Sequence, residues 1–227
     1  LVVLPDGTFW IGDEFGPWLL HFSANGDLLE PPYEFDEGHA QPALRSLHHP
    51  RVLAGLATAT VRASSGFEGL VLSTDRRHLL AMLEKPPLGA ALNLAPILEF
   101  DLAQRRYTGR QWFYELERAD HVVRELARHE GSALLVIEND DLQGDAAAFK
   151  RIYRLDLDHT PAGERIAKEL RVDLLSIGDP RGLGPQGASA RFRFPFFTVE
   201  AVHALDPRTL LVVNDNNFPS RGARGKD

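Results

Sequence analysis

Short apolar runs separated by turn residues fill the first thirty residues of the chain. Pro5-Asp6-Gly7 and Asn25-Gly26 are turn sequences, because proline fixes φ and glycine tolerates the left-handed region that tight hairpins need. The runs between them are rich in β-branched and aromatic residues, which favour a pleated surface. The pattern predicts four strands: Leu1–Leu4, Thr8–Ile11, Trp18–Phe22 and one that begins at Asp27–Leu29. A four-stranded antiparallel meander of this length is typical of one blade of a β-propeller.

The same module recurs along the chain, with longer connections between its copies. Several later apolar runs end at acidic residues, and further apolar runs follow them. These runs predict strands within Gly69–Glu84, Ile97–Asp101, Tyr107–Trp112, Ala133–Asp140, Arg151–Asp156 and Glu200–Asn217. We therefore predict an all-β fold, a β-propeller of four-stranded antiparallel blades. About four blades are visible in the pattern, and propellers close with about four to eight, so the ring is expected to be incomplete in this chain.

One segment carries two conflicting signals. Glu117–Glu130 places apolar residues at helical spacing, which by propensity alone favours a helix. The repeat requires a first strand at Val122–Leu126 instead, and we favour the strand because agreement with the whole pattern outweighs a weak local preference. Pro31–Ser65 and Leu174–Thr198 lack the strand rhythm. The first is predicted to be a long connection with a short strand or two and the second a loop, while Gly144–Phe149 is predicted to hold one helical turn.

Composition narrows the class of protein. The 227 residues carry a net charge of −7 with scattered basic residues, which argues against nucleic acid as a main partner. The absence of cysteine excludes disulfides, thiol catalysis and cysteine-based metal sites. No apolar run reaches the length of about 18 residues that a membrane-spanning helix needs. The chain opens within a predicted strand and without Met, so we expect a fragment whose upstream signal segment is missing.

Acidic residues recur at one position of the module. Glu68 and Glu200 begin first strands, and the following residues end the adjacent second strands: Asp13, Glu14, Glu84, Glu138, Asp140 and Asp215. Because antiparallel neighbours place the start of one strand beside the end of the next, we expect both sets at the same mouth. Carboxylates so grouped repel one another unless a cation neutralises them, and with the amides of Asn139, Asn214 and Asn216 they suit Ca²⁺. The alternative is that these acids are solvated turn residues.

Other candidates are weaker. Lys85, Lys150 and Arg151 are candidates for binding an anionic substrate, or else exposed charges at strand edges. Ser64-Ser65 precedes Glu68, but the neighbouring sequence offers no base, which disfavours a serine nucleophile.

At these residues the chain resembles the phytase-like domain, also called "esterase-like activity of phytase". The resemblance rests on DGTFWIGDEFGPWLLHFSANGDLL, GFEGLVLSTD, ALLVIENDDLQGDAAAFKRIYRLDL and FPFFTVEAVHALDPRTLLVVNDNNFPS, which follow the family's order and cover most of the chain. It implies a β-propeller, mostly bacterial and often exported, that hydrolyses phosphate or other esters. The family's acidic motif falls on Asp13, Glu14, Glu68, Glu138, Asp140, Glu200 and Asp215.

Two departures from the family pattern bear on function. Asn139 stands where the family usually has Arg, which removes a possible phosphate clamp, and Ala201 replaces the more usual Gly. The resemblance also implies strands before Leu1 and after Asp227. Residues 1–227 are therefore interpreted as a single phytase-like domain that is incomplete at both ends.

These observations lead to three hypotheses. The first is a metal-dependent hydrolase of phosphate or carboxylic esters, acting on a small molecule, in a secreted or periplasmic protein. Its general base would be Glu14 or Glu138, and its Ca²⁺ would be held by residues drawn from Asp13, Glu68, Asp140, Glu200, Asn214 and Asp215. The second is a non-catalytic binding propeller with structural Ca²⁺, and the third is a Ca²⁺-dependent lactonase. The oligomeric state is not predicted.

Overall fold

The computed structural model describes residues 1–36, 42–90, 93–185 and 190–215. Within these ranges the protein is all-β, with one short helix and one turn of 3₁₀ helix at Gly144–Ala146. The chain divides into two compact units. The first unit comprises Leu1–Ala119 and Leu157–Ile166, and the second comprises Asp120–Asp156 and Ala167–Asp227.

The first unit contains two four-stranded antiparallel sheets, each a meander in which neighbouring strands follow one another in sequence. The first sheet consists of β1 (Val2–Val3), β2 (Phe9–Gly12), β3 (Trp18–Phe22) and β4 (Tyr33–Glu34). The second consists of β5 (Phe67–Leu72), β6 (His78–Leu83), β7 (Leu94–Asp101) and β8 (Arg106–Glu115).

Aromatic and aliphatic side chains from both sheets form the core of the first unit. Trp10 and Leu19 are fully buried and belong to one cluster with Leu79, Phe100 and Tyr107. The ring centroids of Trp10 and Phe100 are 5.3 Å apart, as are those of Phe100 and Tyr107. Tilted aromatic pairs at this separation contribute about 0.5–1.5 kcal/mol beyond the area that they bury.

The connection between the two sheets contains the helix α1 (Pro50–Leu53). Proline suits its first position, because the ring pre-sets a helical φ and the missing N–H has no partner there in any helix. The side chain of His49 caps the helix by accepting a hydrogen bond from the backbone N–H of Arg51.

The second unit contains one four-stranded antiparallel sheet in the order β12-β11-β10-β9 and two hairpins, β13–β14 and β15–β16. The core between the sheet and the second hairpin includes Leu135, Ile152, Val199 and Val202. The strands are β9 (Val122–Arg128), β10 (Ala133–Asn139), β11 (Lys150–Asp156), β12 (Lys168–Asp173), β13 (Ile177–Gly178), β14 (Arg191–Phe192), β15 (Thr198–Asp206) and β16 (Thr209–Asp215).

The predicted fold class is confirmed. The described residues form an all-β, propeller-like arrangement of four-stranded antiparallel sheets, incomplete as expected, with β15–β16 as two strands of a fourth module. The strand at Val122–Leu126 is confirmed as part of β9. The prediction of one domain over residues 1–227, with further strands beyond both ends, stays a prediction.

The strand prediction is wrong in three places. The first is the predicted loop Leu174–Thr198, within which β13 and β14 form a short hairpin. The fourth strand of the first sheet is Tyr33–Glu34 rather than Asp27–Leu29, where Leu28 forms only an isolated bridge with Phe22. Ser23 and Asp27 close a turn through their backbone and side chains, and two prolines then interrupt the ladder before Tyr33, because proline has no N–H to donate. Strand β12 was not predicted, since its apolar residues are few and lie at a sheet edge.

Candidate functional site

In the first unit, the end of β2 meets the start of β5. The backbone N–H of Phe67 donates to the Asp13 carbonyl at 3.1 Å, and that of Gly66 donates to the Glu14 carbonyl at 2.9 Å. The N–H of Glu84, directly after β6, donates to the Gly66 carbonyl at 2.9 Å. The structure therefore brings Asp13, Glu14 and Glu84 to one end of these two sheets, beside residues 64–67.

Two serines bind carboxylates at this end. The Ser65 hydroxyl donates to Glu84 Oε2 at 2.6 Å, and both residues are buried. The Ser64 hydroxyl donates to Glu14 Oε1, and Ser64 is exposed. Sequence reasoning found no base for a serine here, because Glu14 lies 50 positions from Ser64 along the chain. Only the meeting of β2 with β5 reveals the pair.

The remaining candidates of the first unit have more restricted surroundings. The Asp13 carboxylate accepts a hydrogen bond from the backbone N–H of Gly16, so one of its oxygens closes its own turn. Glu68 is half-buried within β5, and Lys85 is half-buried just after β6.

In the second unit, Glu138 is buried between two basic side chains. Its side chain is fully buried, with Oε1 at 2.8 Å from His121 Nδ1 and Oε2 at 3.0 Å from Lys168 Nζ. The Lys168 ammonium also lies over the Tyr153 ring, and the His121 ring packs on Phe149. Glu138 is therefore not the free carboxylate that its predicted role as a general base assumed. Neither His121 nor Lys168 belongs to a motif that would have signalled this pairing.

Asp140 and Lys150 form a second buried pair. Lys150 has no exposed surface, and its Nζ lies 2.8 Å from Asp140 Oδ1 and 2.5 Å from the Asp140 carbonyl. Burial acts to raise the pKa of Asp140, but hydrogen bonds from Lys150 and from the backbone of Ala148 and Phe149 outweigh it, so the net pKa is lowered. Burial also lowers the pKa of Lys150, in part offset by Asp140.

The alternative of exposed strand-edge charges is wrong for Lys150, because the sheet buries it. A substrate contact by Lys150 would require its ammonium to leave Asp140. Arg151 is half-buried, with Nε at 3.2 Å from Asp173 Oδ2 and its guanidinium over the Phe149 ring.

The start of β15 meets the end of β16 and the end of β10. The Asn139 side-chain amide donates to the Val199 carbonyl at 2.9 Å, and Thr198 Oγ1 donates to the Asp215 carbonyl at 2.5 Å. Glu200, Asn214 and Asp215 consequently stand at the same end of the second unit. The predicted contribution of Asn216 lies outside the described residues.

The strand-end acids do not form a complete metal site in the described residues. Among residues 1–36, 42–90, 93–185 and 190–215, no three His, Asp or Glu side chains are placed to hold an ion together. Glu200, Asn214 and Asp215 supply two carboxylates and one amide of the hard-oxygen type that Ca²⁺ takes, but Ca²⁺ needs about six to eight oxygens. The chemistry of this set fits calcium, and the set by itself is too small.

These features define a class of all-β protein in which four-stranded, propeller-like sheets present acidic residues at their strand ends. The chain belongs to the phytase-like family, because the family model described as "esterase-like activity of phytase" matches residues 1–218. Comparisons with curated proteins and with solved structures give no match. No helix in the described part of the chain is long and apolar enough to cross a membrane.

Proposed function

We propose that the protein is a hydrolase of phosphate or carboxylic esters that acts on a small molecule at the acidic end of its sheets. The observation that carries this proposal is membership of the phytase-like family over residues 1–218, whose description names an esterase-like activity. We also propose secretion or a periplasmic location, supported by the family resemblance alone.

Glu14 is the proposed general base. It is half-buried at the strand end, where a carboxylate keeps access to water and substrate, whereas Glu138 is fully buried between two basic side chains. A base must reach the proton that it removes, within about 2.6–3.2 Å or through one water. This requirement favours Glu14 over Glu138, and it gives Glu138 a structural part in the proposal.

Calcium enters the proposal as the cofactor. Glu200, Asn214 and Asp215, which stand together in the second unit, are its proposed ligands. Asp13 and Glu68 are the candidate ligands within the first unit, and Asp140 is committed to Lys150. A bound Ca²⁺ polarises an ester oxygen and neutralises the charge of neighbouring carboxylates.

The substitution Glu14→Gln tests the proposed base. It keeps the shape of the side chain and removes its basicity, so we expect ester hydrolysis to fall by about 10²–10⁴-fold with an unchanged melting temperature. The measurement is turnover of p-nitrophenyl phosphate, p-nitrophenyl butyrate and an aryl lactone. Glu169→Gln, on the exposed side of β12, is the matched control and should leave turnover unchanged. Equal rates for wild type and Glu14→Gln would contradict the assignment.

A binding module without catalysis is the second candidate. The observation that favours it is that Glu138 and Asp140, two of the acids in the family motif, are ion-paired with Lys168 and Lys150 and so serve the stability of the sheet. Under this hypothesis the wild type turns over none of the three substrates.

A further inference from the structure

We propose that Ser64 is a catalytic nucleophile, that Glu14 is its base, and that the substrate is a neutral carboxylic ester. This inference rests on the proposed function and specifies its chemistry. The carrying observation is the hydrogen bond from the Ser64 hydroxyl to the Glu14 carboxylate on the exposed end of the first unit. A serine hydroxyl is a weak nucleophile until an adjacent base accepts its proton, and a carboxylate in contact with it supplies that base.

The backbone at Ser64 is in a conformation that a serine rarely adopts. Its φ is +86°, in the left-handed region. Two other described residues that are not glycine share a positive φ. Arg76 lies in the tight turn between β5 and β6, and Arg105 lies in the tight turn between β7 and β8. Ser64 instead stands in the segment that leads into β5. Strained residues of this kind cluster at active sites, where the strain aims a side chain.

The surrounding contacts fix the serine relative to its base. Directly after Ser64, the hydroxyl of Ser65 is anchored to buried Glu84, and the backbone of Gly66 is bonded to the carbonyl of Glu14 itself. Gly66 cannot be larger, because a Cβ there would lie 2.7 Å from the Asp13 carbonyl oxygen and nearer still to that of Glu14. Nucleophile and base therefore lie on two segments that are held together independently of their own hydrogen bond, as a preorganised site requires.

The charge at this end favours a neutral ester. Asp13, Glu14 and Glu84 are the acidic residues that the contacts bring beside Ser64. They outnumber the basic residues of the same segments, Lys85 and Arg62, and the Arg62 guanidinium donates to the Pro86 carbonyl. A phosphate monoester would approach these acids with negative charge of its own. Like charges at this range disfavour one another, and a carboxylic ester avoids the repulsion.

The chemistry balances without a co-reactant other than water. Ser64 Oγ attacks the carbonyl carbon of the ester as its proton passes to Glu14. The tetrahedral intermediate then breaks the bond to the alcohol oxygen, which takes the proton from Glu14 as the alcohol leaves. Water then attacks the carbonyl carbon of the acyl-serine while Glu14 accepts a proton from it. The bond between the acyl carbon and Ser64 Oγ breaks, Glu14 returns the proton to Ser64 Oγ, and the acid is released.

The test uses p-nitrophenyl butyrate for turnover and a fluorophosphonate for trapping, with intact mass and peptide mapping on the full chain. We expect one adduct per chain, located on Ser64. The variant Ser64→Gly removes the hydroxyl while glycine accepts the positive φ, so the fold is kept. We expect loss of the adduct and a loss of turnover of about 10³-fold or more. Ser73→Ala is the matched control, since Ser73 also donates to a carboxylate, that of Asp75, in a hairpin turn of the same unit.

The outcomes separate this inference from the proposed function. Turnover that persists in Ser64→Gly, with no adduct or an adduct elsewhere, overturns the nucleophile and leaves the hydrolase standing. An adduct on Ser64 without turnover of any ester shows a reactive hydroxyl but overturns the hydrolase and, with it, the catalytic role of Ser64. Neither adduct nor turnover in the wild type overturns both.

Discussion

Lys150 and Asp140 show how a single charged pair is built into a sheet. The lysine has no exposed surface and the aspartate side chain is about one-tenth exposed, so each depends on the other for compensation of its charge. Two further hydrogen bonds, from the backbone of Ala148 and Phe149, hold the same carboxylate. The desolvation that such a pair suffers is recovered only while both partners are present.

The substitution Lys150→Met therefore destabilises the protein. It leaves Asp140 without its cation, and we expect the free energy of unfolding to fall by about 3 kcal/mol, with partial recovery in the double variant Lys150→Met/Asp140→Asn. Urea denaturation measures the change. Arg171→Ala is the control, because its ion pair with Glu169 is exposed and should be worth less than about 1 kcal/mol. A loss for Lys150→Met as small as that of the control would mean that water reaches the pair.

Glu125 gives a prediction about pH. Burial raises the pKa of Glu125 from its ordinary value of 4.5 to about 7, although a hydrogen bond from the Leu126 N–H opposes the shift. Between these two values the folded protein holds a proton that the unfolded chain has released, so stability falls as the pH rises from about 4.5 to about 7. Above pH 7 the penalty is complete.

Glu125→Gln should remove this contribution. The urea midpoint of the variant should decline less between pH 5 and pH 8 than that of the wild type, whereas Glu169→Gln, at an exposed position, should follow the wild type. An unchanged slope in Glu125→Gln would show that the carboxyl ionises normally in the folded state.

At the scale of elements, the junction between β2 and β5 positions the candidate site. Two backbone hydrogen bonds join Asp13-Glu14 to Gly66-Phe67, and the absence of a side chain at Gly66 permits their approach. This junction places an acid from one sheet beside serines that precede the next. Such a junction forms at strand ends, because the backbone N–H and C=O groups there are not used within their own sheet and can bond to a neighbouring sheet.

Gly66→Ala should disrupt this junction. The added Cβ would meet two backbone carbonyl oxygens, which cannot swing away as a side chain can, and we expect a loss of about 1–3 kcal/mol in stability together with reduced ester turnover. Gly178→Ala is the control, since a Cβ at Gly178 meets nothing within 4 Å. Thermal unfolding and p-nitrophenyl butyrate hydrolysis provide the two readouts. A melting temperature and a rate of ester hydrolysis equal to those of the wild type in Gly66→Ala would contradict the importance of the junction.

At the scale of the whole molecule, the net charge of −7 and the acids at strand ends lead to a prediction about metals. A ligand that binds only the folded state stabilises it by mass action, by about 2.7 kcal/mol at a concentration 100 times its Kd. We therefore expect Ca²⁺ to raise the melting temperature and EDTA to reverse the rise, with Mg²⁺ less effective because it demands a tighter octahedral site. Identical melts in EDTA, Ca²⁺ and Mg²⁺ would mean that these acids are solvated or paired with Lys and Arg.

Most strands were predictable from the sequence because their signals are local. Alternating apolar residues and turn sequences act over a few positions, so β2, β3, β6 and β16 fall where the pattern places them. Strand β9 could not be predicted from local spacing alone, because its apolar residues also suit a helix. The position of the segment within the repeat predicted the strand. The missed strand β12 lacks an apolar face long enough to mark it.

The sequence by itself determined the class of fold, the family and the ends of the strands at which acids gather, because these follow from short-range periodicity and antiparallel order. Only the tertiary structure decided which acids remain accessible. Glu138 and Asp140 meet the cations of Lys168 and Lys150, whereas Glu14 meets the exposed hydroxyl of Ser64. The physical reason is that the pairing of charges depends on packing between segments far apart in the chain, which residue spacing does not record.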